Sequence, residues 1–384
     1  MALHPSRRGL IPPFIAMDML RAATERAAAG EDIIHLEVGQ PGTSAPAAVL
    51  DRARQALMGE PIGYTDALGV TELRQAIAGH YRAQYGIAVA PQEVVVTTGS
   101  SAAFLLAFLA AFEAGERVAL AAPGYPAYRN ILGALGLEPV LIEVGENAHY
   151  QPTPELVAAC GPLAGLIVAS PANPTGTMIA APDLARLAAY CREHEIRLVS
   201  DEIYHGITYA TPAATARAYD KAAIVVNSFS KYYSMTGWRL GWMLAPPDLL
   251  RSVECLAQNL YISPPALSQL AASAAFDCRD ELDRHVARYR RNRDLLVASL
   301  SAAGLSRFAP AEGAFYLYAD VSGLSRDSGA LCRRLLAETG VAVTPGRDFD
   351  PIRGDDWIRL SFAGATEEIA EAARRLQDWL ARAG

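Results

Sequence analysis

Several short fingerprints that disclose a nucleotide or metal site are missing from this 384-residue chain. It contains neither GxGxxG nor GxxxxGK[ST], so the two familiar glycine-rich phosphate loops are excluded. The five cysteines (Cys160, Cys191, Cys255, Cys278, Cys332) are scattered and odd in number, with no CxxC and no Cys/His cluster. That argues against a disulfide framework and against a zinc site, and no metal is expected. Reduced thiols in a cytoplasmic protein are the expectation. Basic charge is also short: 34 Lys+Arg against 41 Asp+Glu gives a net charge of -7. No nucleic-acid partner is expected from such a balance. The opening MALHPSRRGLIPPF has no apolar core, so no signal peptide is expected. The longest apolar run, AAFLLAFLAAF at 102–112, is too short for a bilayer and reads as a buried helix, so no membrane partner is expected.

What is present is the material for a large core. Hydrophobic residues make up 51% of the chain and charged residues 20%. At this length two domains are the prior expectation. In the middle of the chain, short apolar runs end in polar or glycine-containing loops and give way to helical segments. The runs are EVVVTTG (93–99), RVALAAPG (117–124), GLIVASP (165–171), IRLVSDE (196–202), AIVVNSFS (223–230) and RLGWMLAP (239–246). Several show no polar alternation, the mark of strands buried on both faces of a mostly parallel sheet flanked by helices. The fold class is therefore α/β, with a smaller α+β domain. A charged helix near 278–303 leads into that smaller part, which holds FYLYADV, a helix near 328–339, VAVTPG, WIRLSFA and a last amphipathic helix. Thr366 reads as the N-cap of that last helix. The expected division is a large domain over 39–284 and a small one made of 1–38 and 285–384, with an N-terminal arm. No Pro/Gly/Ser-rich linker separates them.

In open parallel sheets, ligands bind beyond the carboxyl ends of the strands. Those ends carry Ser100-Ser101-Ala102, Tyr125, Asn173, Asp201 with Tyr204, and Ser228 and Ser230 with Lys231. TGSSAAF is a strand, a turn and a helix start, whose free N–H groups suit an anion. Asp201 ends an apolar run, where a carboxylate is costly unless paired. An amine lowered into an apolar site, as Lys231 would be, loses its proton more readily and becomes a nucleophile for carbonyls. Two serines and Arg239 around it suit a phosphate. Each signal alone has an ordinary structural reading; their convergence on one lip points to a ligand with a phosphate, an aldehyde and an aromatic ring nitrogen.

The order and spacing of NPTG (173–176), DEIY (201–204), SFSKYYSMTGWRLGW (228–242) and WIRLSF (357–362) resemble the class I/II aminotransferases of the pyridoxal phosphate fold-type I superfamily. The resemblance covers nearly the whole chain, from VGQPG to the last helix. It implies pyridoxal 5'-phosphate as cofactor, with Lys231 as the lysine that joins its aldehyde carbon and then serves as base and acid. It implies that Asp201 pairs with the ring nitrogen, that Asn173 and Tyr204 bond the ring oxygen, and that Tyr125 stacks on the ring. Ser100, Ser101, Ala102, Ser228, Ser230 and Arg239 would hold the phosphate. Tyr64, in GYTDALG, would reach the phosphate in a neighbouring subunit, which implies a homodimer with shared sites. Arg359 would grip the substrate carboxylate beside Gly39. Phe14, Ile15 and Ala16, in the arm, become candidates to touch the substrate side chain. Catalysis would fall to Lys231, Asp201 and Tyr204.

The substrates would be an amino acid and a 2-oxo acid. Some aspartate aminotransferases carry an arginine three residues before the tyrosine of Y-x-x-P-P. Here, in QNLYISPP, that position is Gln258. This points to a neutral or hydrophobic donor (alanine, branched-chain or aromatic), with 2-oxoglutarate or pyruvate as acceptor. An aspartate aminotransferase of a subgroup without that arginine stays open, as does a carbon–sulfur β-lyase. A cofactor-sensing domain of a transcription regulator lacks its winged helix here, and a dehydrogenase lacks its glycine fingerprint. His205, Trp238 and Trp242 read as structural.

Overall fold

The structure is a computed structural model and describes residues 3–383. The strands are β1 (Ile34–His35), β2 (Val94–Thr97), β3 (Arg117–Ala122), β4 (Glu138–Glu143), β5 (Gly165–Ala169), β6 (Arg197–Asp201), β7 (Ile224–Ser228), β8 (Gly241–Leu244), β9 (Tyr316–Asp320), β10 (Val341–Ala342), β11 (Thr344–Pro345) and β12 (Trp357–Ser361). The helices are α1 (Ile15–Ala28), α2 (Ala47–Gly59), α3 (Thr71–Tyr85), α4 (Ser100–Ala111), α5 (Pro126–Leu135), α6 (Pro154–Ala158), α7 (Ala181–Glu193), α8 (Leu250–Leu260), α9 (Ala266–Ala272), α10 (Arg279–Ala302), α11 (Ser328–Thr339) and α12 (Thr366–Ala383).

Seven strands form the main sheet in the order β2-β8-β7-β6-β5-β3-β4, with β8 antiparallel to both neighbours. All six apolar runs of the sequence lie in it. The seventh strand, β4, was not legible: EPVLIE sits at the sheet edge, mostly half-buried, and lacks the unbroken apolar run of an interior strand. Both faces are covered. Val94, Val96, Leu166, Val168, Leu198 and Val225 pack against α3 and α7 through Leu73, Ile77, Leu184 and Leu187. Val95, Val118, Ile167, Val199 and Val226 point the other way, onto Phe104 and Phe108 of α4 and Val253 of α8. Neighbouring residues of one strand thus serve opposite cores, which is why the runs do not alternate.

The chain ends share a second core. Met19, Ala23, Ile34 and Leu36 pack with Leu296, Leu317, Leu335, Leu360 and Leu376. β1 pairs in parallel with β10, and β11-β12-β9 form an antiparallel sheet. Helix α10 passes between the cores, with Leu282 in the large one and Tyr289, Leu296 and Leu300 in the second. Thr366 is not an N-cap. It is the first residue of α12, and its hydroxyl donates to Asn292 Oδ1 at 2.8 Å. A tertiary partner has taken the hydroxyl that the sequence assigned to capping, and Glu368 reaches back to the Ala365 N–H instead, at 3.4 Å.

Asn292 is fully buried on α10, and its Nδ2 donates to the carbonyls of Phe362 (3.0 Å) and Gly364 (3.1 Å). Asn292→Ala strands those two carbonyls and the Thr366 hydroxyl. A loss of about 1–3 kcal/mol is expected, read as a lower unfolding midpoint in denaturant. An unchanged midpoint would mean that water replaces the amide.

Candidate active site

At the carboxyl lip of the main sheet, one row of the register sets Thr97 beside Gly241 and Gly241 beside Ser228. The row therefore brings the start of α4 next to the loop after β7. Gly99, at φ 81°, makes the turn into α4, and the N–H groups of Ser100, Ser101 and Ala102 open that helix without intrahelical acceptors. Arg239, at φ 51°, folds back so that its guanidinium lies on Gly99, where any side chain would collide with Nη2. A Cβ at Gly241 would meet Ser100 N at 3.0 Å, so the lip depends on glycine here too. Ser228 and Ser230 join their hydroxyls at 2.9 Å beneath this turn. Backbone N–H groups, two hydroxyls and one cation converge there, as a phosphate requires.

Asp201 ends β6 fully enclosed. Tyr128 Oη donates to its Oδ2, and the Ile203 N–H donates to its Oδ1 at 3.0 Å. No cation pairs with it among the described residues. Burial pushes its carboxyl up to about 6, against the pull of the Tyr128 hydroxyl, the Ile203 N–H and Lys231. A buried carboxylate held by neutral donors is arranged to receive a cation from outside the chain.

Lys231 lies in the loop after β7, and its Nζ donates to the Gly39 carbonyl at 2.6 Å. Burial, then Arg359 and Arg239, bring its amine down to about 8, with Asp201 opposing. Arg359, on β12, is buried at 2% exposure and pairs with no carboxylate among the described residues. It donates to Asn173 Oδ1 at 2.9 Å, to the Glu37 carbonyl and to Thr344 Oγ1 at 3.3 Å; its Nε has no partner. The rings of Tyr316 and Phe349 lie 4.4 and 4.7 Å from its guanidinium carbon. Neutral acceptors and aromatic faces hold the charge in place but leave it unneutralised, which suits an anionic ligand.

Tyr204 donates to or accepts from Tyr316 Oη at 2.6 Å, and Gly39 packs so closely on that hydroxyl that no side chain fits. Tyr125 is half-buried, its ring 5.2 Å from that of Tyr128. Lys231, Asp201, Asn173, Tyr204, Tyr125, Arg359, Gly39 and the phosphate-type cradle are thus brought together. Tyr64 is 84% exposed and makes no side-chain hydrogen bond to these residues. Gln258 is exposed on α8 and bonds Glu254 at 3.3 Å. His205 is buried behind the lip between Tyr85 Oη (2.7 Å) and the Ser170 carbonyl (3.0 Å); burial lowers it to about 3, so it is a neutral structural group. Tyr128 and Tyr316 were missed. Tyr128 lies in the first turn of α5, three residues after the N-cap residue Tyr125, a nearness in sequence that was available as a signal. Tyr316 meets Gly39 only through the tertiary fold.

The donor set fits a phosphorylated pyridine aldehyde: the cradle for phosphate, Asp201 for a protonated ring nitrogen, Lys231 for the aldehyde. In cofactor-free protein, the rate at which pyridoxal phosphate bonds Lys231 is expected to rise through about pH 8 and then level off. The amine must lose its proton to attack, and its surroundings favour the neutral form. A rise deferred to pH 10 or beyond, followed by absorption spectroscopy, would contradict the lowered amine.

The profile of the family "Aminotransferase class I and II" matches residues 31–376. A valine–pyruvate aminotransferase of Mycobacterium tuberculosis is 52% identical over 97% of this chain and 97% of its own. An aspartate/prephenate aminotransferase of Thermus thermophilus is 33% identical, over 92% of each. Among solved structures, an aminotransferase from Mycobacterium tuberculosis superposes with a TM-score of 0.97 at 50% identity, over 99% of this chain and 100% of that one. The Thermus thermophilus aspartate aminotransferase with maleate gives 0.92 at 32% identity, over 98% and 100%. Members of this family use pyridoxal phosphate, for which the lip has the donors, and the chain belongs to the class I and II aminotransferases.

Proposed function

We propose that this aminotransferase moves the α-amino group of a branched-chain amino acid, valine foremost, to pyruvate. The products are alanine and the 2-oxo acid of the donor. The observation that carries this reading is Arg359. Of the two buried arginines among the described residues, Arg217 pairs with Glu93 at 2.8 Å, while Arg359 forms no ion pair with a carboxylate. One unneutralised guanidinium suits one carboxylate, as in valine and pyruvate. The neighbouring Phe14 and Tyr125, ring to ring at 5.7 Å, offer an apolar wall for the side chain. The Mycobacterium tuberculosis relative named for valine and pyruvate supports the same class.

When bound, pyridoxal phosphate supplies an aldehyde carbon and a ring that draws off the electrons of the Cα–H bond. The chain supplies the rest. Arg359 holds the substrate carboxylate, with Asn173 on its Nη1, and so fixes which Cα bond faces the ring. Asp201, in its ionised form, would hold the proton on the ring nitrogen. Lys231 would take up the substrate Cα proton and return it. Tyr125 would cover the ring, Tyr204 and Asn173 would bond its oxygen, and the start of α4 with Ser228, Ser230 and Arg239 would hold the phosphate.

We assign these roles to a homodimer. The exposed Tyr64, with Ile62 at 47% and Ile262 at 48%, offers an apolar surface through which Tyr64 reaches the partner's cofactor phosphate. The five free thiols fit a reducing cytoplasm.

Lys231→Ala is expected to abolish valine–pyruvate exchange while circular dichroism stays native. Arg359→Ala is expected to lower kcat/KM for valine by about a hundredfold or more, since two charge-assisted hydrogen bonds at about 1.5–3 kcal/mol each are lost. A donor screen in which only aspartate and glutamate react would defeat the substrate reading. Pyruvate and ammonia released from cystathionine without an acceptor would favour the lyase.

A further inference from the structure

Helix α1 breaks a local rule where it begins. Its N-cap residue is Phe14, in extended conformation, whose side chain caps nothing. Ser, Thr, Asp or Asn is favoured there, because the first N–H groups of a helix need acceptors. The missing cap comes from the other end of the chain. Asp348 Oδ1 accepts from the Ile15 N–H at 3.1 Å, and Oδ2 accepts from the Ala16 N–H at 3.0 Å. Asp348 is 1% exposed; burial raises its carboxyl, while the Ala16 and Ile15 N–H groups and the charges of Arg359 and Arg129 favour its ionised form.

The arrangement frees the N-cap position for an aromatic ring, the one that lies edge-on to Tyr125. The turn that carries Asp348 also grips its surroundings. The Asp348 carbonyl accepts from Arg129 Nη2 at 2.6 Å, and the Phe349 carbonyl accepts from the Gly124 N–H at 3.0 Å. The Phe349 ring lies against the Arg359 guanidinium. One short turn therefore touches the arm, the lip of the main sheet and the arginine assigned to the substrate carboxylate. A broken local rule repaired at long range is expected at functional sites more than in plain scaffolding.

We propose that Asp348 is a positioning residue for substrate binding. It fastens the start of α1 so that Phe14 stays on Tyr125 as the wall for the donor side chain, and through Phe349 it couples that wall to the Arg359 clamp. The proposal rests on the apolar-donor reading above. Coupling is reciprocal, so a donor held by Arg359 also steadies the arm.

The test uses the holoenzyme and three variants, Asp348→Asn, Phe14→Ala and the double variant. Kinetics are measured with valine and pyruvate, and backbone hydrogen exchange over residues 14–24 with and without valine. Asparagine keeps the shape but sets an N–H donor against one of the two helix N–H groups. The expected result is a valine KM raised about tenfold in each single variant, with little change in kcat. The double variant should be no worse than the poorer single, because both remove one wall. Arm exchange should quicken about tenfold in Asp348→Asn, and valine should slow it in wild type only. Faster arm exchange with an unchanged valine KM would reduce Asp348 to an ordinary cap and overturn the proposal, as would effects on KM that simply multiply. Equal arm exchange in wild type and Asp348→Asn overturns it even if valine proves not to be the donor. Failure of valine to react, with the arm loosened as expected, counts against the donor reading alone.

Discussion

Two buried charges, Arg359 and Asp201, that form no ion pair among the described residues set the terms for this molecule. A guanidinium or carboxylate withdrawn from water is costly unless something replaces its hydration. At Arg359 the replacement is a carbonyl, an amide oxygen, a hydroxyl and two aromatic faces. At Asp201 it is a phenol and a backbone N–H. Neither set neutralises its charge. Each holds it rigid and leaves the ligand to complete the pairing, so the reorganisation is done before the substrate arrives.

The rest of the architecture follows from holding those two charges near one amine. Asp201 ends β6 and Lys231 lies in the loop after the adjacent β7, in a sheet whose covered faces exclude water. Arg359 comes from the small antiparallel sheet formed by the last hundred residues. Bringing it to the lip requires the second core, and that core includes both ends of the chain. The arm, β1 and the turn at 346–350 are the means by which the ends are tied to the site. Lys231 feels the result: both arginines lower its proton affinity, and burial does so more.

Much of this was legible along the chain. The six apolar runs announced strands of the main sheet because a strand buried on both faces has no polar alternation to hide it. The polar groups at their ends announced the lip, since a carboxylate or amine at the end of such a run needs a reason. β4 escaped because, unlike the fully buried edge strand β2, it is partly exposed and carries glutamates at both ends. The Thr366 cap failed because a tertiary partner, Asn292, competed for the same hydroxyl.

By itself the sequence determined the α/β class, the order of the strand-end groups and the family, because these depend on local composition and on spacing along the chain. Only the tertiary structure decided what surrounds each group. Tyr128 on Asp201, Tyr316 against Gly39 and Asp348 on the start of α1 join residues that are 73, 277 and 333 positions apart. No periodicity encodes such pairs. They exist because two cores pack across one lip, and the burial that results gives Asp201 and Lys231 their changed proton affinities.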